Sequence, residues 1–192
     1  MDDPAHEKSN EIPAAQHLLR RLDLDGSLVT ADAMHTQSET ARIVVQEKGG
    51  DYLLNVKGNQ KGVADNARHL YRTLSRGFSP QRMAQTCELN RGRTEARCVV
   101  AFDTTATRID FPFAEQVAQS TRCVDNRRKP AKEIETECLI TSRPAAQMNA
   151  EQMLRQDRQY WGIETGLHLR LDVIAGEDRS RVRHRNAVMN LA

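Results

Sequence analysis

A predicted helix that places a carboxylate in the middle of a mostly apolar side is the feature that most constrains this fold. The residues with helical spacing on that side are Met153, Asp157, Tyr160, Trp161, Glu164, Leu167, His168 and Leu171. Glu164 lies in the middle of them, where an ionised carboxylate is costly unless a partner or a metal compensates it. At steps of four residues, Tyr160, Glu164, His168 and Asp172 form one polar ridge.

Spacing alone leaves two interpretations of this ridge open. A boundary carboxylate beside a structural histidine explains the pattern as well as a metal site does, and spacing favours the structural interpretation. Gly162 and Gly166 also weaken the helix prediction, because each costs about 1 kcal/mol relative to alanine inside a helix. The wider sequence context has to decide between the two.

Several sequence blocks in a fixed order provide that context. The C-terminal block contains Tyr160-Trp-Gly-Ile-Glu164, Leu167-His168, Leu171-Asp-Val173 and Gly176-Glu-Asp-Arg-Ser-Arg-Val-Arg183. The earlier blocks are Glu7-Lys-Ser-Asn-Glu-Ile-Pro13, Val29-Thr-Ala-Asp-Ala-Met-His-Thr-Gln37, Gly50-Asp-Tyr52, Lys57-Gly-Asn-Gln60, Arg91-Gly-Arg-Thr-Glu95 and Ile140-Thr-Ser142. Together they resemble the bacterial insertion-sequence transposases of the DDE type, in the H-repeat-associated branch. The ordered series is far more specific than any single motif.

The resemblance implies an α/β fold, a partial ribonuclease-H-like core with an antiparallel β insertion before the last catalytic helix. The residue pattern itself alternates helices with short apolar strands up to about residue 78, which is typical of a parallel α/β unit. The predicted elements of this unit are a helix from Pro13 to Leu22, a strand at 27–31, a helix at 38–47, a strand at 52–56 and a helix at 63–74. The pattern then predicts insertion strands at 86–89, 95–102, 116–124 and 133–140.

The expected organisation is a loose segment at residues 1–13, followed by a transposase-like catalytic domain at 14–192 with its β insertion at about 84–140. The domain is expected to lack its first strands. Its strand at 27–31 is therefore expected to have an unpaired or poorly covered edge.

The family's catalytic set consists of two aspartates and one glutamate that hold two magnesium ions for phosphodiester cleavage. By this resemblance, Asp32 in Thr-Ala-Asp-Ala matches the second aspartate, and Glu164 in Trp-Gly-Ile-Glu matches the glutamate. Asp32 follows a predicted strand, and α/β units gather ligands and catalytic groups at such positions. Asp32 and Glu164 are therefore predicted to be catalytic, to bind magnesium and to approach each other.

The family's first aspartate has no match here, because no Asp-Gly-Lys sequence occurs in the chain. Asp25-Gly26 falls in a turn just before the Asp32 strand, so we reject it as a replacement. The family pattern is also altered at Thr165-Gly166, at His168-Leu169 and at Ala175. We expect a truncated form that binds at most one magnesium ion weakly and is inactive alone.

Clustered arginine and lysine suggest contacts with DNA although the net charge is only +2. The predicted DNA-binding residues are Lys57, Asn59, Gln60, Arg91, Arg93, Arg158, Arg181 and Arg183. For the cluster from Arg91 to Arg97, ordinary surface charge explains the pattern equally well. The residues predicted to support the metal ligands are His35, Tyr160, His168 and Asp172.

The remaining composition indicates a cytoplasmic protein that does not span a membrane. No apolar run approaches the roughly 18 residues that a spanning helix requires, and no secretory signal opens the chain. The four cysteines, at positions 87, 98, 123 and 138, lack Cys-x-x-Cys spacing and are predicted to be free buried thiols.

The function implied by the resemblance is metal-dependent DNA cleavage and strand transfer at insertion-sequence ends. A non-catalytic DNA-binding remnant is the first alternative, with a second copy or a full-length relative as partner. A structural or interaction protein without DNA is the second alternative. Salt-dependent retention on DNA would separate these two alternatives.

Overall fold

The computed structural model describes residues 11–74, 82–90, 93–104, 109–126 and 133–163, with the backbone alone at 59, 70, 73, 74, 90, 126 and 161–163. The chain divides into two compact units, Met1–Arg155 and Gln156–Ala192. The described part of the second unit is the C-terminal portion of one helix. None of the described helices is long and apolar enough to cross a membrane.

Four helices and six strands make up the described chain. The helices are α1 (Glu11–Arg21), α2 (Ser38–Arg42), α3 (Lys61–Leu74) and α4 (Ala150–Ile163). The strands are β1 (Leu28–Ala31), β2 (Asp51–Val56), β3 (Met83–Asn90), β4 (Arg93–Asp103), β5 (Gln116–Asn126) and β6 (Glu133–Thr141). Helix α2 continues as a π-helical segment, Ile43–Glu47, and 3-10 helices lie at Ala33–His35 and Gly58–Gln60.

Helix α1 begins before the proline that was predicted to open it. Pro13 is the third helical residue, after Glu11 and Ile12. A proline is tolerated there because the first backbone N–H groups of a helix have no acceptor within the helix. Residues 11–13, which were assigned to a loose segment, are therefore helical, and residues 1–10 lie outside the described part of the chain.

All six strands belong to one sheet in the order β1-β2-β6-β5-β4-β3. Strands β1 and β2 are parallel, and every other described pair is antiparallel. Within the described residues, β1 pairs with β2 alone and so forms one edge of the sheet, as predicted. The mixed α/β class is confirmed, whereas the ribonuclease-H-like identity of the core stays a prediction.

The predicted insertion strands extend the sheet rather than forming a separate layer. Strand β6 pairs with β2 from Leu53↔Thr141 to Val56↔Cys138, which joins the antiparallel strands directly to the parallel pair. A central strand such as β2 is covered on both faces, and its burial is nearly complete from Tyr52 to Val56. This double coverage fixes the position of the carboxyl end of β2, where the candidate site lies.

Apolar side chains fill both faces of the sheet. On one face, Tyr52, Leu54 and Val56 pack with Ala41 and Val44 of the second helical region and with residues of α3. On the other face, Leu53 and Leu139 pack with Met148 and with Ala150, Met153 and Leu154 of α4. The alternation along β2 follows from the two-residue period of a strand, which sends successive side chains to opposite faces.

The four cysteines are free, as predicted. Cys138 is buried, and burial raises the pKa of its thiol to about 12. Cys98 and Cys123 are partly buried, and Cys87 is exposed, so the prediction of a buried thiol is wrong at Cys87 and holds fully at Cys138 alone. The reason is that β3 is the outermost strand of the sheet, where side chains are covered from fewer sides.

Candidate active site at the carboxyl end of the parallel strands

Asp32 directly follows β1 and starts the 3-10 helix Ala33–His35. Its backbone is still extended, with φ −67° and ψ 162°, so it continues the geometry of the strand. Its Oδ1 accepts a hydrogen bond from the Ala33 backbone N–H at 2.7 Å, which caps the short helix. The side chain remains 45% exposed, so a ligand from solvent can reach the carboxylate.

Lys57 lies beside Asp32 because parallel strands end at the same edge of a sheet. It follows β2 directly, and its Nζ is 3.6 Å from Asp32 Oδ1. The structure thus places a predicted metal ligand and a predicted DNA contact side by side. Among the described residues, both contacts of the Asp32 side chain use Oδ1, which leaves Oδ2 for a ligand.

Two hydrogen bonds hold the segment after Asp32 against the end of β2. The buried Thr36 hydroxyl donates to the Asn55 carbonyl oxygen. The Gln60 side-chain nitrogen donates to the Thr36 carbonyl oxygen at 3.2 Å. Gln60, predicted to contact DNA, therefore uses its amide nitrogen to position the loop that carries Asp32.

Asn55 is a site residue that the sequence interpretation missed. It lies on β2, its side chain is only 6% exposed, and its Oδ1 has no hydrogen-bond partner in the described structure. The register Ala31↔Leu54, continued by one residue, places Asn55 level with Asp32. The signal that could have found it is an amide within an otherwise apolar strand, Tyr52-Leu-Leu-Asn-Val56, just before the Lys57 block.

His35, predicted to support the metal ligands, contacts a different element. Its Nε2 is 3.5 Å from Oε1 of Glu11 in α1, and its side chain is 16% exposed. Its Nδ1 is buried without a partner in the described structure. The His35 side chain therefore ties the 3-10 helix to α1. Its contact with Asp32 is through the backbone, since the His35 N–H donates to the Asp32 carbonyl oxygen at 2.9 Å.

Of the predicted residues on α4, Asp157 is buried and Arg158 and Tyr160 are half-buried. These three belong to the second compact unit. The predictions that lie outside the described residues concern Arg91, Glu164, His168, Asp172, Arg181, Arg183 and the side chain of Asn59. The approach of Asp32 and Glu164 therefore stays a prediction.

The two described arginines of the cluster from 91 to 97 differ in their environments. Arg93 is exposed at the start of β4. Arg97 is only 17% exposed, and its Nη2 lies 2.6 Å from Glu95 Oε1. Arg93 stays a predicted DNA contact, whereas Arg97 is engaged in an ion pair within the protein.

The described donors at this edge suit a hard divalent cation. Among the residues that the structure describes, no three histidine, cysteine, aspartate or glutamate side chains are close enough to hold a metal. The uncommitted atoms at the site are Asp32 Oδ2 and Asn55 Oδ1, and oxygen donors of this kind are those that magnesium prefers. The donor set thus fits magnesium but needs a further carboxylate, the role predicted for Glu164.

Comparison with known protein families identifies the family of this chain. Residues 3–192 match the family described as "Transposase DDE domain". The chain belongs to the DDE transposase family. Family membership supports a transposase function, and members generally depend on divalent metal ions. The resemblance inferred from the ordered sequence blocks is thereby confirmed.

The chain is also similar to curated proteins of Escherichia coli. "H repeat-associated putative transposase YhhI" of strain K12 is 36% identical over 188 residues, covering 94% of this chain and 48% of that protein. "Putative protein YbfL" of strain K12 is 36% identical over 187 residues, with 94% and 48% covered. The chain therefore spans about half the length of the curated relatives it matches.

Similarity to solved structures is low. The crystal structure of Streptomyces venezuelae DesVI superposes with a TM-score of 0.29 at 16% identity, covering 72% of this chain and 53% of that one. A similarity at this level supports no inference about fold or function.

Proposed function

We propose that this chain takes part in metal-dependent DNA cleavage and strand transfer, with Asp32 and Glu164 as carboxylate ligands of the metal. The observation that carries the proposal is the position of Asp32: an accessible carboxylate at the carboxyl end of a parallel strand, with Oδ2 uncommitted. Membership of the DDE transposase family supplies the reaction class.

Divalent ions at such a site activate the attacking oxygen and stabilise charge on the leaving oxygen of a phosphodiester. Asp32 would contribute an anionic oxygen held in place by the capped 3-10 helix and by the bonds of Thr36 and Gln60. Lys57 would contribute a positive charge for a DNA phosphate, as lysine commonly does. Its 3.6 Å pairing with Asp32 is exposed and weak, so exchange for a phosphate costs little.

A non-catalytic DNA-binding role is the second candidate, and one sequence observation favours it. No Asp-Gly-Lys sequence occurs in these 192 residues, so Asp32 and Glu164 are the two family ligands that the chain can supply. Two carboxylates are enough for one magnesium ion, which keeps several water ligands. They are not expected to fix a second ion beside it.

Titration with Mn2+, followed by electron paramagnetic resonance, tests the metal site. We expect the 192-residue chain to bind Mn2+ weakly and Asp32→Asn to reduce that affinity at least tenfold, because the exchange removes an anionic ligand. Asp23→Asn, at an exposed aspartate before β1, is the matched control and should leave the affinity unchanged. Equal affinities for the two variants would refute the metal site at Asp32.

Fluorescence anisotropy with insertion-sequence-end duplexes tests the contact with DNA. We expect Lys57→Ala to weaken binding and to lower the slope of log affinity against log salt by about 1, as the loss of one phosphate contact does. Lys48→Ala is the control, because Lys48 precedes β2 at the opposite end and donates to the Arg20 carbonyl oxygen. If both variants or neither lose affinity, Lys57 is not a specific phosphate contact.

A further inference from the structure

A buried amide oxygen at the candidate site lacks the partner that buried polar atoms normally have. Asn55 is 6% exposed, and its Oδ1 accepts no hydrogen bond within the described structure. Its neighbours along β2 are apolar, namely Leu53, Leu54 and Val56. Nearly all buried side-chain oxygens in proteins are satisfied, and an exception calls for a cause such as a bound ion or water.

The sheet register directs this amide toward the carboxylate of Asp32. Thr30 pairs with Leu53 in the parallel ladder, so residues two positions further on, Asp32 and Asn55, are level and on the same face. Asp32 keeps an extended backbone, so the alternation is not broken before it. Neighbouring strands are about 4.8 Å apart, which places both side chains within reach of one ion and its water ligands.

The backbone of Asn55 is also fixed at this point. Its carbonyl oxygen accepts the hydroxyl of Thr36, from the segment that carries Asp32. One hydrogen bond therefore joins Asn55 to the segment of the chain that carries Asp32. A structural role for the amide would instead require a protein partner for Oδ1, and the described residues provide none.

We propose that Asn55 Oδ1 is an additional oxygen donor of the metal site, accepting a hydrogen bond from a water molecule bound to the divalent ion that Asp32 holds. This inference deepens the proposed function and rests on its metal site. An amide suits the role because it accepts a proton from water without adding a second negative charge beside Asp32. Outer-sphere acceptors of this kind orient a metal's water ligands and strengthen binding.

Mn2+ titration of the full 192-residue chain, combined with water-proton relaxation, tests the proposal. Asn55→Leu removes the acceptor while keeping the number and branching of the side-chain heavy atoms, and it is expected to weaken Mn2+ binding about tenfold. Asn55→Asp restores an acceptor oxygen and is expected to keep or exceed the wild-type affinity. The enhancement of water-proton relaxation by bound Mn2+ should also differ between Asn55→Leu and wild type, because the ordered water ligand loses its acceptor.

Thermal unfolding without metal separates this role from a structural one. An unsatisfied buried acceptor destabilises the metal-free protein, so Asn55→Leu should unfold at the same or a higher temperature than wild type. If the leucine variant does not fold, Asn55→Val, with a side chain favoured in strands, serves for the same comparison. A lower melting temperature that accompanies the loss of Mn2+ affinity, with no rescue by aspartate, would show a structural role and overturn the proposal.

The Asp32→Asn variant distinguishes failure of this inference from failure of the proposed function. If Asp32→Asn loses Mn2+ binding while Asn55→Leu and Asn55→Val keep it, Asn55 is not a donor and the metal site itself stands. If Asp32→Asn binds Mn2+ as wild type does, the metal site at Asp32 is refuted and the role of Asn55 is refuted with it.

Discussion

Glu95 shows how single residues of this sheet divide between structural and functional roles. Its carboxylate accepts from Arg122 Nε at 2.9 Å and from Arg97, while Arg122 also binds Glu135 across the neighbouring strand. The hydrogen bond from Arg122, with that of Arg97, lowers the pKa of Glu95 to about 2, although burial opposes the shift. These arginines stabilise the pairing of β4, β5 and β6, so their charges are already neutralised within the protein.

The Glu95 pKa predicts a specific acid dependence of stability. A carboxyl group whose pKa falls on folding stabilises the protein above its unfolded pKa, near 4.5, and loses that contribution as the pH falls toward about 2. Glu95→Gln should therefore cost about 1–2 kcal/mol at pH 7, a value reduced for partial solvation. Urea unfolding of wild type and variant should converge between about pH 4.5 and 2.

Glu151, exposed in the first turn of α4, provides the control for this measurement. Glu151 is not part of the network that Arg97 and Arg122 form with Glu95. The difference in unfolding free energy between Glu151→Gln and wild type should therefore vary much less over the same pH range. If the two variants show the same pH dependence, the arginine network does not stabilise the Glu95 carboxylate as inferred here.

At the scale of elements, the turn between the π-helical segment and β2 depends on two glycines. Gly49 has φ +67°, the left-handed conformation that commonly ends helices. Gly50 lies against the chain before β1, and a Cβ built on it would be 2.7 Å from the Leu24 carbonyl oxygen. This close approach allows the Gly50 N–H to bond Val44 O at 2.9 Å and the Asp51 N–H to bond Ser27 O at 2.8 Å.

Substitution by alanine is expected to change the free energy of unfolding in opposite directions at Gly50, in the turn before β2, and at Gly62, in α3. Gly50→Ala should lower the free energy of unfolding by about 1–3 kcal/mol, because backbone has to shift to relieve the contact. Gly62→Ala, near the start of α3, should raise it by up to about 1 kcal/mol, because an added Cβ there would meet nothing within 4 Å. Thermal melts of both variants check this, and a stable Gly50→Ala protein would contradict the close approach.

The extent of most elements could be predicted from sequence because local patterns determine it. The strands predicted at 116–124 and 133–140 are observed at Gln116–Asn126 and Glu133–Thr141. The helix predicted at 63–74 is observed at Lys61–Leu74. Alternation of apolar residues and the glycine and proline signals are sufficient for such assignments.

The pairing of β6 with β2 could not be predicted from the same patterns. Residues Leu53 to Val56 and Cys138 to Thr141 are far apart in sequence, and an apolar run does not specify which strand lies beside it. For the same reason the position of Asn55 beside Asp32 could not be predicted. Asn55 lies opposite Asp32 because of the register between β1 and β2, and this register is determined only in the folded sheet.

At the scale of the whole molecule, the edge of β1 that the described residues leave unpaired is where a further strand can join the sheet. The β1 residues are all partly exposed, and within the described residues they pair with β2 on one side alone. An unpaired edge accepts an additional strand readily. Since the chain spans about half of its relatives, we propose that a strand carrying the family's first aspartate pairs at this edge in a complete site.

The 192-residue chain alone is therefore expected not to cleave or join DNA at a useful rate. With Asp32 and Glu164 as its two family ligands, it is expected to lack the second ion, and several kcal/mol of transition-state stabilisation are lost with it. At about 1.4 kcal/mol per tenfold in rate, that loss amounts to several orders of magnitude. Cleavage of labelled insertion-sequence ends with Mg2+ measures the rate for this chain and for one extended by a strand in the Asp-Gly-Lys context.

Glu164→Gln separates the two outcomes of that assay. In the 192-residue chain the substitution should change the cleavage rate little, because the rate is already near background. In the extended chain it should abolish cleavage, since it removes a ligand from a complete site. Asp172→Asn, on the same predicted ridge but outside the ligand set, should reduce the rate of the extended chain far less. Robust magnesium-dependent cleavage by the 192-residue chain, lost on Glu164→Gln, would instead show that these residues form a complete active site.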